Sequence, residues 1–173
     1  MQGLTYGAAV FDGKRMTGIL DPHDTQIMNI GRGDFKSGTV TVTAADKYIC
    51  EVYVMPKKRI VEIRIDEPNP KAKMRLVMSI TVKQDPEGKI GKDWQHGGKE
   101  LLETYFEDEL QRIFEKLLGF DSDAYGFGKN ASMCFDNAKE WEEYDWKSRY
   151  GSLSAEFEVE LTLDDEYIVK YGE

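Results

Sequence analysis

Cysteine and histidine are both scarce in this chain: its 173 residues hold Cys50 and Cys134, His23 and His96. Two cysteines are too few for a disulfide framework, and none has a companion at metal-ligand spacing. They read as buried, inert thiols, with a disulfide as the alternative in an extracytoplasmic protein and a reactive thiol as a third reading. Two separated histidines leave little choice of catalytic base, and no G-x-S-x-G elbow is present. GRG at 31–33 and GFGK at 126–129 lack the strand–loop–helix spacing and Gly-Lys-Ser/Thr ending of a phosphate-binding loop. No run approaches the ~18 apolar residues of a membrane span. Basic charge is also short, with 23 Lys and Arg against 32 Asp and Glu and a net charge of −9. That balance argues against a nucleic-acid binder, which needs a basic footprint for phosphates. Met1–Tyr6 (MQGLTY) has no basic region, apolar stretch or cleavage site, so nothing in it directs export.

What is present suits one folded domain. Hydrophobic residues make up 40% and aromatics 12%, too rich for a disordered chain. Charge divides by position: residues 1–90 carry 14 basic and 11 acidic side chains, residues 91–173 carry 9 and 21. Asp12-Gly13 between two β-like runs predicts a hairpin with positive φ at both turn residues. Asp21-Pro22 predicts a capped helix over 22–30, stopped by Gly31-Arg32-Gly33. Strands follow at 39–43, at 47–55 up to Pro56, and at 58–66. Lys73–Lys83 alternates cleanly, with Met74, Leu76, Met78, Ile80 and Val82 on one face. Asp85–Gly98 reads as a polar, mobile connection.

The pattern then changes period. Leu101, Leu102, Tyr105, Phe106, Leu110, Ile113, Phe114, Leu117 and Leu118 form one stripe of a helix of about six turns. Residues 121–149 predict two shorter helical pieces split near 135–137. Leu153–Leu163 is a second long alternating strand, and Tyr167–Val169 a short final one. Early strands, a late long helix and a terminal strand predict an α+β fold: a mainly antiparallel β-sheet with one long amphipathic helix and shorter helices packed on it.

Chemistry is thinly signalled. The carboxylates of 107–109, 142–145 and 156–160 read as solvated faces, although an acid pair would serve a hydrolase. Pro56–Arg59 (PKKR) predicts a turn whose Lys57, Lys58 and Arg59 suit solvent or anionic headgroups. Tyr125, Phe127, Phe135, Trp141, Tyr144, Trp146 and Tyr150 crowd into 26 residues. Such a cluster is a second helical layer, or in part an exposed protein interface, because Trp and Tyr make good anchors.

The order of these motifs resembles the C-terminal domain of the Ger(x)C family, the C-subunit lipoproteins of spore germinant receptors. AAVF at 8–11, MTGILDPHDTQ at 16–26 and SGTVTV at 37–42 are similar to its opening. SDAYGFG at 122–128 resembles its Ser-Asp-x-x-Gly-Phe-Gly segment, and Trp141, Trp146 and Tyr150 resemble its W…W…F spacing, with Tyr for Phe. AEFEVELTL and the late Gly172 complete the likeness. QDPEGKIGKDW departs from the family pattern after the strand at 73–83. The lipobox cysteine and amino-terminal domains of a full C subunit are absent, so the chain reads as a C-terminal domain or a shortened relative.

The resemblance implies a non-enzymatic domain without cofactor. It would act with integral-membrane receptor subunits, as part of a lipoprotein at the outer face of the inner spore membrane. It marks Asp123, Gly126, Phe127, Gly128, Trp141, Trp146 and Tyr150 as interface or structural residues. A small-ligand domain with its pocket between the long helix and the sheet, and an acid-pair hydrolase, are the rival readings.

Overall fold

The computed structural model describes residues 6–43, 49–65, 69–86, 90 and 97–164. Short alternating runs pair first. β1 (Ala8–Phe11) and β2 (Met16–Leu20) form an antiparallel two-stranded sheet, and α1 (Pro22–Arg32) follows. A second sheet is ordered β3 (Gly38–Thr43), β4 (Ile49–Arg64), β5 (Lys71–Gln84), β6 (Ser154–Leu163). Its first two pairings are antiparallel and β5–β6 is parallel. Parallel neighbours need a long crossover. It is supplied by α2 (Gly98–Gly119) with three short helices, α3 (Phe127–Ser132), α4 (Ala138–Tyr144) and α5 (Trp146–Tyr150). The mainly antiparallel α+β class expected from the pattern is the one observed, with this one parallel pair added.

The core lies between the large sheet and the helices. Ala72, Met74, Leu76, Met78 and Ile80 of β5 and Phe157, Val159 and Leu161 of β6 turn inward. From α2, Leu102, Phe106, Leu110, Ile113, Phe114 and Leu117 meet them, while Leu101, Tyr105 and Leu118 sit half-buried at the margin of the stripe. The outer face is a charge ladder in which Lys73 and Arg75 pair with Glu156, Glu158 and Glu160.

Both outer edges of this sheet carry side-chain caps. Gln26 Nε2 donates to Thr39 O at 2.7 Å and Tyr105 Oη to Thr41 O at 3.3 Å on β3. On β6, the N–H groups of Val159 and Leu161 donate to Glu107 Oε1 and Glu103 Oε1 at 2.9 and 2.8 Å. Strand residues two apart thus meet helix residues four apart, and Glu107, read from sequence as solvated, closes an edge.

Four local expectations are corrected. Pro56 lies inside one 16-residue strand rather than ending it. The ladder to β3 ends at Val54, and the register to β5 shifts between Pro56 and Lys58, so a missing N–H is tolerated there. PKKR is therefore a bulged stretch of strand and not a turn. The first helix runs through Gly31 to Arg32, because Gly31 faces the Tyr125 ring instead of stopping the helix. The hairpin loop spans Asp12–Arg15, closed by Asp12 N–H to Arg15 O at 3.1 Å, and Asp12 is not among the positive-φ residues. The segment after α2 holds three short helices rather than two. Most of the 85–98 connection lies outside the described residues, but Ile90 within it is fully buried and donates to Asp85. Tyr167–Val169 and Gly172 also lie outside them.

Candidate functional site

The loop after α2 is organised by one carboxylate. Asp123 Oδ1 accepts the Phe127 N–H at 2.8 Å, and Oδ2 accepts the Gly128 N–H and Trp146 Nε1–H, the last at 3.3 Å. Asp123 so caps the start of α3 and ties it to α5. Burial outweighs these donors and pushes its carboxyl above the ordinary range. Gly128 is needed for the arrangement: a Cβ there would stand 2.6 Å from Trp146 Nε1 and 2.9 Å from Asp123 Oδ2. Gly126 occupies the left-handed region at φ 75° just before α3. Phe127 is fully buried, edge-on to both Phe114 and Tyr125, so it belongs to the core and not to an interface.

An aromatic ladder runs outward from this hub. Tyr150 is buried, its hydroxyl donating to Ser122 O at 2.8 Å. Trp146 lies against it at 6.1 Å between ring centres, and Trp141 stacks on Trp146 at 6.1 Å. Phe135 and Tyr144 pack on Trp141 in turn, and Arg149 lies over the Tyr144 ring. No residue of α4 is buried, although that helix carries Trp141 and Tyr144. The inner rungs fasten the ladder and the outer rungs form a half-exposed aromatic platform.

A cavity of about 400 Å³ opens beside the inner rungs. The hairpin supplies one wall through Val10, Phe11 and Asp12, and Asp121, Trp146 and Tyr150 supply the other. It lies between the hairpin and the aromatic segment, not between α2 and the sheet as expected.

The basic cluster is divided. Lys57 and Lys58 are exposed at the bulge. Arg59 turns inward, with Nε donating to Gly31 O at 2.7 Å and an Nη donating to Tyr125 O at 2.8 Å. It is a strut between α1 and the 121–128 loop and is withdrawn from any membrane-facing surface. A charge network missed in the sequence joins α1 to α2. His23 Nε2 lies 2.9 Å from Glu109 Oε2, Arg112 binds both Glu109 and Asp24, and Lys116 binds Asp24. Asp24 is buried, and bonds from Lys116 and Arg112 overcome that burial and keep its carboxyl below the ordinary range. The spacing of Glu109, Arg112 and Lys116 along one helix face was the available signal.

Cys50 is buried, its thiol pushed up to about 11 chiefly by burial, whereas Cys134 is exposed; both are free. Among the described residues no three His, Cys, Asp or Glu side chains gather as metal ligands, and no helix is long and apolar enough to cross a membrane.

Comparison with known proteins bears on this geometry. The family model described as spore germination B3/GerAC like, C-terminal, matches residues 6–166. The crystal structure of the GerBC protein superposes with a TM-score of 0.68 at 14% identity, covering 87% of this chain and 48% of that one. The chain thus spans about half the length of that protein and shares its fold. No curated protein sequence matches.

Proposed function

Because the chain belongs to the spore germination B3/GerAC-like C-terminal family, we propose that it is a non-enzymatic interaction domain of a germinant receptor C subunit, working in spore germination beside integral-membrane subunits. The observation that carries this reading is the aromatic platform on α4, a helix that buries none of its own residues while presenting Trp141 and Tyr144. Aromatic anchors contribute a large share of binding energy when a partner desolvates them. Asp123, whose carboxyl burial pushes up, supports a structural rather than catalytic role, since both of its oxygens already accept hydrogen bonds from the chain.

On this reading the domain is part of a lipoprotein at the outer face of the inner spore membrane, anchored by a lipid outside this chain. Lys57 and Lys58 turn toward anionic headgroups, each worth about 1 kcal/mol near such a surface. The acid-rich half turns away from lipid or toward a basic partner. Co-purification of the full lipoprotein with its membrane subunits tests the platform. Trp141→Ala is expected to abolish co-purification while the domain stays folded by circular dichroism, with a modest fall in melting temperature from its lost ring contacts, and undiminished co-purification would refute the docking role. The cavity beside Trp146 favours a second reading, a small-ligand site. Thermal-shift screening against amino acids and sugars separates the two, and uniformly null shifts remove the second.

A further inference from the structure

A second apolar surface is built into the hairpin, and its Ala9 and Phe11 also border the cavity beside Trp146. Tyr6 is 86% exposed, Ile19 66%, Met16 57% and Phe11 52%, and Ala9 is exposed beside them. Phe11 pairs with Met16 and Ala9 with Ile19 across the two strands, so these four side chains stand together on one face, with Tyr6 exposed just before β1. Thr17 bends its hydroxyl back to Val10 O at 3.4 Å. Charged residues of the loop, Asp12, Lys14 and Arg15, border the patch as a polar rim.

The patch is held rigid from behind. Val10 and Leu20 are buried on the inner face, and Gly18 lies so close to the Phe120 ring that a Cβ would stand 2.4 Å from it. Hiding the outer side chains by rotating the strands would expose Val10 and Leu20. Apolar clusters of this kind mark surfaces that something covers.

We propose that the outer face of the β1–β2 hairpin is the seat of the preceding half of the subunit, an intramolecular interface in the longer protein. The inference rests on the reading of this chain as the C-terminal domain of a longer C subunit. Two observations select this occupant. The matching family is a C-terminal one, and the chain covers only 48% of the GerBC protein, so about half of such a subunit lies outside this domain. In a longer subunit the chain passes through Tyr6 into β1, which makes the hairpin the element nearest that half. Size agrees. Four side chains are few beside the roughly 20–30 residues per side of a free-standing interface. A tethered partner needs less, because the tether supplies a high effective concentration.

Two methionines make the test. Met16 lies on the hairpin patch, and Met133, 70% exposed, lies two residues before Phe135 near the platform. Oxidation by hydrogen peroxide, read residue by residue by mass spectrometry, follows exposure. In this domain alone both should react. In the full subunit without membrane partners, Met16 should slow about fivefold if its exposure falls to about 10%, while Met133 should not change. Ile19→Ser in the full subunit should restore Met16 reactivity.

Equal Met16 rates in domain and subunit would overturn the inference, and so would a reading frame with no preceding segment. Concentration-dependent protection in the isolated domain would assign the patch to a second copy. Protection that arises only with membrane subunits would assign it to them. If Met133 stays reactive in the assembled receptor while Met16 is protected in the subunit alone, the platform reading fails and the hairpin interface stands.

Discussion

Gly31→Ala sets a helical gain against a steric loss at a place where the two can be compared. Alanine is favoured over glycine inside a helix by about 1 kcal/mol. Here, however, the new Cβ would stand 2.5 Å from Tyr125 Cε1, 2.8 Å from Cζ and 2.9 Å from Leu110 Cδ2. The Tyr125 ring is 1% exposed and has no free volume to enter. Overpacking a filled core costs about 1–3 kcal/mol. Moving the ring also strains its hydroxyl bond to Leu110 O and the Arg59 bond to Tyr125 O, about 1 kcal/mol each. The net expectation is a loss of about 2–4 kcal/mol, or a fall in Tm of about 5–15 °C for a domain of this size. Gly119→Ala is the matched control. It lies at the end of α2 with nothing within 4 Å of the added Cβ, and should gain up to about 1 kcal/mol. Urea denaturation followed by tryptophan fluorescence reads both. If Gly31→Ala is as stable as wild type, the close approach of α1 to Tyr125 is not a constraint and the argument for that glycine is wrong.

Other expectations concern charge and capping. His23 is raised above its ordinary 6.5, chiefly by its bond to Glu109, so its contribution is complete below 6.5 and fades as pH rises through the raised value. Burial would raise Glu109, but hydrogen bonds from His23 and Arg112 hold it down at about 2, so its contribution holds above about 4.5 and is lost as pH falls toward 2. Glu109→Gln should flatten both limbs of a stability–pH profile, and a profile unchanged in shape would refute the pairing. Glu107→Ala should cost about 1–3 kcal/mol by orphaning the Val159 amide, with hydrogen exchange rising there and at no distant strand. Asp123→Ala should cost about 2–4 kcal/mol, more than Trp146→Phe, because it deprives three N–H donors of their acceptor, whereas Trp146→Phe removes one donor and leaves the carboxylate two. Lys57→Ser with Lys58→Ser should weaken binding to anionic vesicles, whereas Arg59→Ala should lower Tm; vesicle binding indifferent to both lysines would remove the proposed orientation.

The parts of the fold legible in the sequence were those with a local period. β5, β6 and α2 each bury a long, regular face, and alternation or a 3.6-residue stripe announces it. The signals that misled were residues whose meaning depends on a distant neighbour. Pro56 breaks an isolated strand but not one whose partner ladder has already ended at Val54. Gly31 resembles a helix stop until Tyr125, 94 positions further on, is placed against it. Arg59 looked like surface charge because its acceptors are backbone carbonyls, which composition cannot display. Glu107 looked solvated, and Glu103 drew no reading, because only the crossover geometry lays α2 along β6. At the candidate site, the Asp123 segment and the aromatic spacing were visible, but which ring is core and which is surface was not. Phe127 and Trp141 are both aromatics in the same short stretch, and only packing separates them.

The side-chain caps on β3 and β6 bear on how such domains tolerate crowding. A sheet with bare edges recruits strands from its neighbours, and copies held close together then polymerise. Here Gln26 and Tyr105 on one side, and Glu103 and Glu107 on the other, occupy backbone groups that an incoming strand would have to win. At these two edges, neighbouring copies would then meet through side-chain contacts before any shared hydrogen-bonded ladder could form.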